Sequence, residues 1–99
     1  MALKEAEFAE PLLAADDAVL EAMRLAQSAT KPIVVADTQD NPGCGGSGDT
    51  VGMLASLVRN KAQGALFGVV ADELAAAAAH DAGVGAEIEL DLGGRTDLP

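Results

Sequence analysis

The chain has ninety-nine residues, enough for one domain that buries about 60–65% of its unfolded surface. Apolar residues make up 49% of it, yet alanine supplies much of that share and Phe8 and Phe67 are the only aromatics, so the expected core is thin. A formal net charge of −10 excludes nucleic acid and anionic membrane as partners, because both would repel it.

Residues 1–14 are mixed in character, and Pro11 prevents one helix from running through into the next element. Asp16 or Asp17 can cap a helix over Asp17–Ser28, where Ala18, Ala22 and Leu25 with Val19, Met23 and Ala26 form an apolar stripe at helical spacing. Thr30-Lys31-Pro32 stops it. Ile33–Ala36 then reads as a buried strand. Asp49 or Thr50 caps a second helix whose apolar face is Met53, Leu54, Leu57 and Val58, with Arg59 and Lys61 suiting its negative pole. Gly64 leads into Ala65–Val70, an apolar run without alternation. Asp72 caps a third helix, Glu73–Ala82, rich in alanine and closed by Gly83 as the residue just past its end. Ala86–Leu92 alternates Ile88, Leu90 and Leu92 with Glu87, Glu89 and Asp91, as a strand with one covered face does.

This order, helix-strand-helix-strand-helix-strand, predicts an α/β domain over residues 1–99: a three-layer-like arrangement with a mainly parallel sheet. No apolar run approaches the length of a membrane span, and the acidic start is no secretory signal. The lone Cys44 sets no disulfide framework. These features lead to the expectation of a soluble, cytoplasmic domain.

The stretch between the first strand and the second helix, Ala36 to Thr50, carries the most information. A plain connector there takes about two to six residues, and longer ordered loops tend to be functional. Gly43, Gly45, Gly46 and Gly48 allow close backbone approach, and Asp37, Asp40 and Asp49 stand among them. As an anion cradle, the glycines followed by a helix start could aim N–H groups at a phosphate. Asp49 follows Gly48, however, where a phosphate loop needs Lys, and the dinucleotide fingerprint lacks its last glycine. The carboxylates could bind a hard cation or act as a base, but composition favours Asp40-Asn41-Pro42-Gly43 as a turn held by side-chain-to-backbone bonds with Asp49 as a cap. His80, the one histidine, suits a helix end and cannot build a zinc site alone. Cys44 has no basic neighbour in sequence to activate it, and Ser47 and Ser56 lack an elbow motif. No catalytic set and no metal site is complete.

The run from Pro32 to Thr50, with Ala36-Asp37, Asp40-Asn41-Pro42-Gly43, Gly45-Gly46 and Gly48-Asp49 at its heart, resembles the hallmark of the C-terminal region of the MlrC family. These are metallopeptidase-like proteins named for microcystinase C. Gly64-Ala65-Leu66, Val70-Ala71-Asp72, Ala82-Gly83-Val84-Gly85-Ala86 and Leu92-Gly93-Gly94 continue the likeness over residues 15–95. Cys44 stands where the family usually has glycine, a change that needs a negative φ or open space. The resemblance implies a hydrolase fragment whose zinc is bound by a larger N-terminal domain absent here, with no cofactor held by this chain itself. Asp37, Asp40, Asn41, Gly43, Gly45, Gly46, Gly48, Asp49 and Thr50 would then line or brace the cleft. The implied partners are that N-terminal domain and a peptide substrate, with an apolar flank able to support a homodimer. A non-enzymatic interaction module and a small-anion binder using the glycine loop are the alternatives.

Overall fold

The computed structural model describes residues 12–95, in which three helices are joined by irregular segments. The expected break at Pro11 lies outside the described residues. Helix α1 spans Ala15–Ala26, two residues earlier than its sequence signals suggest. Ala14 occupies the N-cap position and no side chain caps the helix there. Asp16 and Asp17 instead stand in the first turn, where a negative charge favours the positive end of the dipole. Helix α2, Gly52–Arg59, follows Val51 as N-cap, so neither Asp49 nor Thr50 caps it. Helix α3, Glu73–Ala82, has the expected bounds: the Asp72 side chain accepts from the Ala75 amide at 3.0 Å, and Gly83 follows at φ 84°.

Helices α1 and α2 pack on each other. Val19 of α1 is 2% exposed and Ser56 of α2 is fully buried. One carboxylate fastens this pair. Asp16 accepts from Ser56 Oγ at 2.5 Å, from Arg59 at 2.7 and 2.9 Å, and from Asn60 Nδ2 at 2.8 Å. Its pKa falls from 3.8 to about 2, chiefly through the Arg59 guanidinium and then the Ser56 hydroxyl, against an opposing desolvation.

The expected α/β sheet is absent: no strand occurs among the described residues, and the three apolar runs 33–36, 65–70 and 86–92 form no regular element. The reason is physical. A strand exists only through a ladder of bonds to a neighbour, and propensity alone does not supply one. Here the backbone bonds that join distant segments lie past the carboxyl ends of these runs: Ala71 N–H to the Gly48 carbonyl at 2.7 Å, and Gly94 N–H to the Asp49 carbonyl at 2.8 Å. Val34, Leu66 and Val69 consequently stand 88%, 99% and 82% exposed.

The thin core is confirmed. The chain exposes 8349 Å², where a folded protein of its mass exposes about 5200 Å². Its radius of gyration is 16.8 Å, against about 13 Å for a compact domain of this length.

Candidate functional site: the Asp40 clamp

The loop from 37 to 50 is held from within. Asp37 Oδ1 accepts the amides of Gln39 at 2.9 Å and Asp40 at 3.3 Å. Asn41 Oδ1 accepts from Gly43 N–H at 2.9 Å, and Pro42–Cys44 form a single tight helical turn. The Asn41 carbonyl closes that turn by accepting from Cys44 and Gly46 at 2.9 and 3.0 Å, and the Pro42 carbonyl accepts from Gly45 at 3.1 Å. The Asp40-Asn41-Pro42-Gly43 turn therefore forms by the side-chain bonds its composition implies.

Asp40 does the larger work. Its Oδ1 accepts from Gly48 N–H at 2.7 Å and Ser47 Oγ at 3.3 Å, while Oδ2 accepts from Thr50 N–H at 2.8 Å. Two oxygens of one side chain thus close the bend that runs from Asp40 to Thr50. The amides of Thr50 and then Gly48 hold the Asp40 carboxyl below its ordinary pKa, since they stabilise the charged form. Ser47 Oγ also donates to Asp49 Oδ1, and Asp49 is 3% exposed.

Close approach explains two of the glycines. A Cβ at Gly46 would lie 2.8 Å from both the Asn41 nitrogen and Asp40 Oδ1. Gly48, at φ 73°, would place one 2.8 Å from Pro42 Cγ. Cys44 is exposed and does not take a positive φ, so its side chain fits without strain.

Sequence reading missed a second fastening. Beyond capping α3 with Oδ1, Asp72 accepts on Oδ2 from Gly93 N–H at 2.8 Å and from Arg95 Nε at 3.2 Å. Its side chain is 1% exposed. The amides of Ala75 and Gly93 pull its pKa below the ordinary value. Arg95 also donates to the Asp91 carbonyl at 2.8 Å. Residues 93–95 are thereby drawn onto the end of the loop, where Gly94 meets Asp49. The available signal was Arg95, the one cation after Lys61.

All nine predicted site residues fall in or beside this bend. Asp37, Asp40, Asn41, Pro42 and Thr50 line a pocket of about 220 Å³ closed on its other side by Phe67. Of the amides an anion cradle would use, those of Gly48 and Thr50 are committed to Asp40 and those of Gly45 and Gly46 to the Pro42 and Asn41 carbonyls. For zinc, the described residues do not fit: no group of three or more His, Cys, Asp or Glu is placed to hold a metal ion among them. Oδ1 of Asp37 and both carboxylate oxygens of Asp40 are turned to backbone amides instead. His80 is exposed in the last turn of α3.

Residues 35–99 match the family described as MlrC C-terminus, and the chain belongs to that family. Microcystinase C of Sphingomonas sp is 35% identical over 74 residues, which are 74% of this chain and 15% of that protein. The chain thus spans about 15% of the length of the relative it matches. No solved structure matches it. Among the described residues no helix is long and apolar enough to cross a membrane.

Proposed function

We propose that this domain is the C-terminal part of a cytoplasmic, metallopeptidase-like hydrolase of the microcystinase C type, and that its Gly/Asp bend forms one wall of the cleft in which a peptide is cut. The supporting observation is the Asp40 clamp. A bend closed by both oxygens of one carboxylate presents its outer surface in a fixed geometry, and fixed geometry is what substrate positioning requires. In this reading zinc is held by the larger part of the protein and no residue of this chain binds it. The domain alone is inactive. Asp40 shapes the bend, Asp49 and Ser47 stiffen its exit, and Asn41 and Thr50 are the groups that meet substrate or the facing domain.

The test is Asp40→Ala and Asp49→Ala in the full-length enzyme. Turnover of a linear peptide falls roughly ten- to a hundredfold, the scale on which small misplacements cost rate, while metal content stays near that of the parent. Unchanged turnover removes the bend from the cleft. Loss of the metal along with turnover moves both residues into metal retention and overturns the reading equally.

A further inference from the structure

A second and larger concavity, about 840 Å³, lies between α1 and residues 33–40 and reaches the start of α2. Its wall along α1 and residues 33–36 is apolar, lined by Leu12, Leu13, Ala18, Leu25, Ile33 and Val35. Its far end is polar, with Thr38, Gln39, Ser47 and Thr50. Val34, also in the lining, is 88% exposed and Leu12 is 77% exposed. The ionisable residues lining it are Glu21, Asp37 and Asp40, with no cation among them. Glu21 is paired with Arg24 at 2.6 Å, so the uncompensated negative charge stands at the Asp37–Asp40 end. We propose that this groove seats an apolar segment ending in Lys or Arg, supplied by the larger part of an MlrC-type protein. The proposal rests on the reading above that the domain works within a longer chain, and it names the surface through which it docks.

Three observations favour that occupant. Leu12, Leu13 and Val34 of the lining stand 77%, 58% and 88% exposed, so the chain itself leaves this apolar face uncovered. The matched relative has most of its length outside the region this chain covers, so it has chain to supply. A second copy is the poorer partner, because it would bring another net charge of −10 against the acidic end.

Short synthetic peptides test this on the chain itself, by fluorescence anisotropy at fixed ionic strength. Two share one Leu/Val pattern and differ only in ending Lys-Arg or Glu-Asp. The Lys-Arg peptide binds and the Glu-Asp peptide binds at least about tenfold more weakly. Val34→Asn and Leu12→Asn, both at exposed positions, each weaken the Lys-Arg peptide by about tenfold with the helical circular dichroism unchanged. Leu66→Asn and Val84→Asn, outside the groove, leave it unaffected. Equal binding of the two peptides, no binding of either, or equal losses inside and outside the groove overturns the proposal. Sedimentation equilibrium showing a dimer that Val34→Asn dissociates overturns it in favour of a second copy. Because the bend is read by turnover and the groove by peptide affinity, each reading can fail while the other stands.

Discussion

Asp16 accepts bonds from three side chains on α2 and the residue after it, and this sets a direction for the pH dependence of the helix pair. Its pKa in the folded chain lies at about 2, below the ordinary 3.8, so the folded state binds fewer protons than the unfolded one. The stability it contributes is therefore present above 3.8 and lost as pH falls toward 2. We expect α1 and α2 to separate across that window. The Asn60 side-chain amide resonances, monitored by NMR, should shift with a midpoint near 2 in the parent, and the transition should vanish in Asp16→Asn. Asp40 and Asp72 are shifted in the same direction, so the loop too holds at neutral pH and opens only in acid. The side chains around the bend were largely legible beforehand: Asp, Asn, Pro and Gly in that order encode a local turn. Asp16 was misread as a cap. Its partners lie 40 to 44 positions away in sequence, a distance at which local pattern carries no signal.

At the scale of elements, the helices were readable and the apolar runs were not. Helix α3 has a capping Asp72 and a closing Gly83, both local signals, and its bounds follow from them. Helix α2 keeps Met53, Leu54 and Leu57 of its expected apolar face partly covered, but Val58 stands 70% exposed and Ser56 is buried instead. The helix begins after Val51, because the Asp49 side chain is engaged by Ser47 and the Asp49 carbonyl by Gly94. The runs 33–36, 65–70 and 86–92 carry strand-like composition, but pairing belongs to a neighbour's backbone, which no single run specifies. What does join the segments is the contact of residues 93–95 with the loop end. Gly93 sits at φ 73°, and a Cβ there would strike the Asp49 carbonyl and lie 2.9 Å from Val51 Cγ1. Gly94, at φ 65°, would meet nothing within 4 Å. Gly93→Ala should therefore cost about 2–3 kcal/mol, combining left-handed strain with a clash, and Gly94→Ala about 1 kcal/mol from strain alone. Urea titration of both variants checks the ranking; equal losses would show that the approach of Gly93 to Asp49 contributes nothing.

For the whole molecule, the decisive quantity is surface. With Val19 and Ala75 the buried apolar residues among those described, unfolding exposes little that is not exposed already. The urea dependence of stability scales with newly exposed area, so its slope should fall below the range of about 1–3 kcal/mol/M usual for small domains. A steep, cooperative transition would mean that the apolar runs are covered in solution. The same surface separates the two outcomes of the sequence reading: thinness of the core is a matter of composition and was visible, whereas the layer that would cover the runs is not encoded in them. The tight turn at Pro42–Cys44 has one practical outcome. Its sulfur is the sole thiol of the chain and points outward from a backbone braced by Asn41 and Asp40. A maleimide fluorophore or spin label attached there would ride on the bend without unseating it, giving a direct optical or magnetic readout of anything that approaches this rim.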